Sequence, residues 1–130
     1  MANICDFKIH VRGTKKAALM LYAAAVAAPY EMNIDYEGGT DDEYIIHFSG
    51  SCKWDIDAYC EKRWNKKPVD LSAIDEETIR SNEEFAEKYS QYKMKAKSGM
   101  FQCEVEVIAF DEEEGISFEH YKDGELLDEQ

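Results

Sequence analysis

Hydrophobic and polar residues alternate with a period of two over five stretches of the chain, the mark of half-buried strands. From Asn3 to Val11, Cys5, Phe7, Ile9 and Val11 point one way, and Asp6, Lys8 and His10 the other. From Tyr30 to Tyr36, Tyr30, Met32, Ile34 and Tyr36 oppose Glu31, Asn33 and Asp35. From Glu43 to Ser51, Tyr44, Ile46 and Phe48 face inward. From Met100 to Phe110, Phe101, Cys103, Val105 and Val107 oppose Gln102, Glu104 and Glu106. Gly115 to Tyr121 closes the series, with Ile116 and Phe118 read as inward. The polar stretch Glu37 to Asp42, with paired glycines, joins the second and third runs as a hairpin. Asp111 to Gly115 is a second turn, and Lys122-Asp123-Gly124 a third, beyond which the chain reads as an acidic tail.

Two stretches have helical character. Lys15 to Ala28 is rich in alanine, with Thr14 as N-cap and Pro29 as its stop. Ser72 to Lys97 reads as one helix or a broken pair. Phe85, Tyr89, Tyr92 and Ala96 share a face, and acids precede bases along it, as the helix dipole favours. Lys53 to Leu71, which holds both tryptophans, is the least regular part, with a helical turn or two predicted over Asp57 to Trp64.

The element order is therefore β-α-β-β-α-β-β. Right-handed crossovers and repetition of the β-α-β unit predict an α+β, ferredoxin-like split β-α-β sandwich. Its antiparallel sheet has the order 5-4-1-3-2 and both helices on one face. Residues 1–130 form a single domain in this reading, and the other sheet face is open.

Charge changes what that open face means. Fifteen Lys and Arg stand against twenty-eight Asp and Glu, a net charge of −13. Such a balance argues against direct nucleic-acid binding and against anionic membranes. It leaves a protein partner with a basic surface, a cation, or solubility alone. No stretch is apolar enough to span a membrane. Asp6 and the strand-like opening argue against a secretory leader, so a cytoplasmic location is expected. The four cysteines (Cys5, Cys52, Cys60 and Cys103) are then expected to be reduced.

Four segments together carry a family likeness: Met1 to Cys5, Phe48 to Trp54, Val105 to Val107 with Asp111 to Tyr121, and Lys122 to Glu125. They resemble the YubB-type ferredoxin-like domains of phages, plasmids and other mobile elements. The family often opens with Asn-Trp-Cys where this chain has Asn3-Ile4-Cys5. The resemblance implies the ferredoxin-like fold and a mobile-element setting, and no catalytic residues.

On the open face, Glu31, Asp35, Glu104, Glu106 and Glu119 are expected to point to solvent. Alternate strand positions lie about 6.8 Å apart, so rows of carboxylates resemble a phosphate track. From Asp111 onward nine acids face one lysine, a local net of −8, with Asp111, Glu112, Glu113 and Glu114 at the turn. Trp54, beside Lys53, fits a plug at the end of the core better than an interface anchor, but is carried as a candidate anchor. Trp64 lies among Lys62, Arg63, Lys66 and Lys67, a small basic cluster able to stack on single strands or to pair with the acidic tail. His10 and His47 could share the open face beside Glu106 and hold a metal or exchange protons. No phosphate loop, nucleophile elbow or metal-ligand spacing is present. A zinc site from Cys52, Cys60 and a histidine, or loose calcium binding at Glu37 to Asp42, has little support in the spacing.

The expected function is a non-enzymatic, acidic protein-binding module from a mobile element. Its most concrete form is an anti-defence inhibitor, of the anti-CRISPR or anti-nuclease kind, acting by nucleic-acid mimicry without metal or cofactor. The alternatives are a structural or regulatory accessory domain and, behind it, a metal-dependent enzyme.

Overall fold

The computed structural model describes residues 3–81 and 83–129. It is an α+β protein, whose described residues form an open, six-stranded antiparallel sheet with four helical segments. The strands are β1 (Ile4–Gly13), β2 (Pro29–Gly39), β3 (Tyr44–Lys53), β4 (Glu104–Asp111), β5 (Gly115–Lys122) and β6 (Glu125–Glu129). Their spatial order is β2-β3-β1-β4-β5-β6, so β1 lies between β3 and β4. The helices are α1 (Lys15–Ala23), α2 (Glu76–Ser81), α3 (Glu83–Ser90) and α4 (Met94–Met100).

The alternation sets the core. Cys5, Phe7, Ile9 and Val11 of β1 are buried with Tyr44, Ile46 and Phe48 of β3 and with Val105 and Val107 of β4. Helix α1 packs against β1 and β3 on one side and against α2 and α3 on another, so that Ala17, Ala18, Leu19, Met20 and Leu21 are all buried. Its alanines let the helix approach the sheet closely, and Thr14 Oγ1 accepts from the Ala17 N–H at 3.2 Å to start it.

Helix α1 stops at Ala23, short of the expected Ala28. The reason lies across the core. The buried Lys97 ammonium donates to the Ala25 carbonyl at 2.9 Å and to the Ser90 carbonyl at 3.0 Å. The chain after α1 is thus tied to α4 rather than continuing its own hydrogen-bond ladder. Burial lowers the Lys97 pKa to about 8, against the favourable charges of Cys60 and Asp57 nearby. Burial likewise raises the Asp57 carboxyl, although its Oδ1 accepts from the Met94 N–H at 2.9 Å.

The described residues of the second helical stretch are helical over α2, α3 and α4. Lys93 is extended (φ −67°, ψ 156°) and separates α3 from α4. Tyr89 is buried and Tyr92 and Ala96 pack against the core, so the aromatic face survives the break. The Phe85 side chain lies outside the described part. Helix α2 is tied to α1 and β2 by Lys15–Glu76 at 3.0 Å and Arg80–Glu37 at 3.4 Å, exposed pairs of small energetic weight. Of the helical turn or two expected over Asp57 to Trp64, the structure has a turn at residues 56–59, where the Ala58 N–H donates to the Asp55 carbonyl and the Cys60 N–H to the Asp57 carbonyl, each at 3.1 Å; further on, the Val69 N–H donates to the Met100 carbonyl at 2.8 Å.

Three strand assignments are corrected. The acidic tail is strand β6, reached through an Asp123-Gly124 turn with both residues at positive φ (51° and 89°), the geometry that suits a tight hairpin. Strand β5 has the opposite phase to the expected one. Tyr121 pairs with Val105 and Glu119 with Val107, so these two share the covered side, while Ile116 and Phe118 join the open side opposite Phe110 and Ile108. In β2 a register shift between Ile34 and Tyr36 places Tyr36 opposite His47 on the open face, apart from Met32 and Ile34.

Candidate functional site: the open sheet face

The open face is built from the positions the core rejects: Asp6, Lys8, His10 and Arg12 of β1, Ile45, His47, Ser49 and Ser51 of β3, and Glu104, Glu106, Ile108 and Phe110 of β4. Antiparallel registry arranges them in transverse rows. One row runs from Tyr36 through His47, His10 and Glu106 to His120 and Asp128 across all six strands. It collects all three histidines of the chain.

His10 and His47 stack with ring centroids 3.7 Å apart, and the Tyr36 ring lies 5.6 Å from His47. Burial and the neighbouring His47 lower the His10 pKa, so the stacked pair favours a neutral His10. At the other end of the row the His120 Nε2 is 2.7 Å from Glu104 Oε2. Among the described residues no group of three or more His, Cys, Asp or Glu has the arrangement to hold a metal ion.

The next rows change character. Ile108 and Phe110 of β4 and Ile116 of β5 are 41%, 46% and 73% exposed, and Ile4 on β1 is 40% exposed. They form an apolar end to the face, with Phe118 half-buried among them. Beside it runs a groove of about 310 Å³. Ser49 and Gly50 of β3 floor it, Ile108 and Phe110 wall one side, and Glu31 of β2 walls the other, with Asp6 and Lys8 between. Gly50 is confined because a Cβ there would strike the Glu31 backbone carbonyl across the strand pair.

The expected binding residues divide accordingly. Glu104 and Glu106 lie on the open face, but beside Arg12, His10 and His120 rather than in an unbroken acidic row. Glu31 walls the groove, and Asp35 sits at the β2 irregularity, where its charge reaches His10. Glu119 is not on the open face: its carboxylate accepts a hydrogen bond from the Tyr121 hydroxyl on the covered side.

Asp111 caps its own turn, accepting from the Glu113 and Glu114 N–H groups at 2.7 and 2.9 Å, and Glu112, Glu113 and Glu114 are exposed beyond it. Trp54 does not plug the core. It is 45% exposed, at positive φ (70°), with the Lys53 ammonium 5.8 Å from its ring. It lines a second cavity, of about 670 Å³, together with Asp111, Glu113, Glu114 and Glu119 of the expected set and with Asp55 and Asp57.

Ile108 and Phe110 were missed as surface residues, yet the signal was present. They continue the outward phase of Glu104 and Glu106, and only their hydrophobicity argued otherwise. The four cysteines are free and buried, with Cys5 directly opposite Cys52 across β1 and β3. No helix of the described residues is long and apolar enough to cross a membrane. No family model matches the chain, and neither does any curated protein or solved structure.

Proposed function

We propose that this chain is a ferredoxin-like, non-enzymatic binding module that docks a basic protein on its open sheet face. The supporting observation is the groove that sets the apolar wall of Ile108 and Phe110 against the acidic wall of Glu31. A partner's Arg or Lys can lay its aliphatic stem along the apolar wall and deliver its charge to Glu31 and Asp6. The exposed Ile116 and Ile4 extend the apolar centre, and Glu112, Glu113 and Glu114 supply an acidic rim beside it. An apolar centre with a charged rim is the usual anatomy of a protein interface. The net charge of −13 would steer a basic partner toward it.

Lys8 and Arg12 interrupt the acids of this face, which favours a mixed interface over a literal copy of a phosphate track. The partner class remains that of the acidic-inhibitor reading: a nuclease or other nucleic-acid-binding protein whose basic groove is blocked. The resemblance to YubB-type domains supports a mobile-element setting for such an inhibitor.

Affinity capture with the wild-type chain and two variants tests the proposal. Wild type should retain a basic nucleic-acid-binding protein, identified by mass spectrometry, more strongly at low salt than at high salt. Ile108→Asp with Phe110→Asp should abolish capture, and Glu31→Lys should weaken it. Capture of the same protein regardless of these substitutions overturns the proposal, as does retention of no basic protein. Self-association through Ile108 and Phe110, seen by gel filtration, also overturns it and makes the face a contact between copies.

A further inference from the structure

A second feature lies away from the open face. Five basic side chains, Lys62, Arg63 and Lys66 from the loop after β3 and Lys93 and Lys95 at the start of α4, line one concavity of about 270 Å³. They are a third of the fifteen bases of a strongly acidic chain. No acid lines the concavity, and none of the five takes part in the described ion pairs. The expected pairing of this cluster with the acidic C-terminal segment is therefore not among them.

The convergence is held by the fold. The Trp64 ring seats against Gly99 of α4 and Gly124 of the β5–β6 turn, where a Cβ at Gly99 would overlap it. Its indole N–H donates to the Lys67 carbonyl at 2.8 Å, and the Lys62 N–H donates to the Gln91 carbonyl at 3.1 Å. These contacts bring the loop bases to the α4 bases. Aromatic faces take up two of the charges: Lys62 lies 5.9 Å from the Tyr92 ring centroid and Lys66 lies 5.5 Å from that of Trp64. Like charges gathered this way repel one another unless an anion offsets them.

We propose that this concavity binds a small ligand carrying a short phosphate chain. Several cations around so small a volume suit several anionic oxygens close together, and the guanidinium fork of Arg63 matches phosphate geometry. A long polyanion is disfavoured, because the segments that run past the concavity lie against the rest of a surface whose net charge is −13. A ligand that fits within the concavity meets the five bases as its lining charges, of which Lys93 also lines the second cavity with Asp57 and Glu119.

Isothermal titration of the full chain at about 0.1 M salt, where the Debye length is about 10 Å, tests this. The probes are inorganic tripolyphosphate, orthophosphate and a single-stranded oligonucleotide. Tripolyphosphate should bind about tenfold or more tighter than orthophosphate, and Arg63→Gln with Lys95→Gln should weaken it by about tenfold or more, as expected for charge-assisted hydrogen bonds. Lys8→Gln with Arg12→Gln on the open face should leave it unchanged. If the Arg63/Lys95 variant does not fold, backbone amide shifts in the wild type at Ala96 and Gly124 on adding tripolyphosphate replace it. The proposal is overturned by no binding at millimolar tripolyphosphate, by equal loss in the open-face variant, by amide shifts confined to the open face, or by binding of the oligonucleotide alone.

Discussion

Replacing Lys97 by methionine should remove one defined pH dependence from folding. Lys97 is fully buried, and its pKa falls from the ordinary 10.5 to about 8 because burial disfavours the ammonium. At about 1.4 kcal/mol per tenfold change in proton affinity, that difference is worth about 3 kcal/mol. The sign follows from proton counting. Below about pH 8 Lys97 is charged in both states, and the folded state carries the whole penalty. Between about pH 8 and 10.5 the folded lysine is neutral while the unfolded one still holds its proton, so stability rises with pH.

Buried thiols act in the opposite sense over the same range. Burial raises Cys60 and Cys103, so the unfolded chain loses those protons first. The Cys103 contribution is common to wild type and Lys97→Met, but Cys60 lies in the field of Lys97, so both chains carry Cys60→Ala and the difference between them then isolates Lys97. Urea unfolding followed by tryptophan fluorescence should show a difference that is flat below about pH 8. The chain that keeps Lys97 should then gain about 3 kcal/mol on the Lys97→Met chain by about pH 10.5. The level at pH 7 is less informative, because the variant also leaves the Ala25 and Ser90 carbonyls without the ammonium donor. A difference that stays constant from about pH 7 to 10.5 refutes the reasoning.

His10, with its pKa lowered by burial and by His47, should contribute a loss of stability as pH falls through about 6.5. Thermal melts at several pH values should show a shallower acid limb for His10→Phe. Gly99→Ala should destabilise by about 1–3 kcal/mol in urea unfolding, because the new methyl overlaps the Trp64 ring and lies 3.0 Å from Gly124 Cα. An unchanged midpoint would mean that Trp64 does not depend on that seat. Ellman's reagent should label the native chain slowly and all four thiols rapidly in denaturant, since each cysteine is buried; fast native labelling would contradict that burial.

The central strands were legible because their two faces differ sharply. Cys5, Phe7, Ile9 and Val11 against Asp6, Lys8 and His10 permit only one phase once a core exists. Strand β5 was not, because both its phases carry large apolar groups: Ile116 and Phe118 on one, Tyr121 on the other. Pairing of Tyr121 with Val105 decides between them, and a single-strand pattern does not contain it. The β2 irregularity is hidden in the same way, since Tyr36 fits the alternation until its pairing with His47 is known.

Glu119 was placed on the wrong face as a direct result of the β5 phase. The histidine row needed the registers of β1 with β3 and of β1 with β4 together. In the basic concavity, the run Lys62 to Lys67 was plain in the sequence, whereas its meeting with Lys93 and Lys95 depends on Trp64 seating against two glycines.

The position of β1 bears on how the chain acquires its structure. This strand pairs on one side with β3, where Gly13 meets Tyr44, and on the other with β4, where Arg12 meets Glu104. The second pairing closes a loop most of the length of the chain, and such closures slow folding in proportion to the entropy they remove. On a ribosome, β1 would wait with one ladder unmade, its backbone donors and acceptors open to other strands, until β4 emerges. Between those two moments the nascent chain is most exposed to aggregation, and β4 is the segment whose arrival ends it.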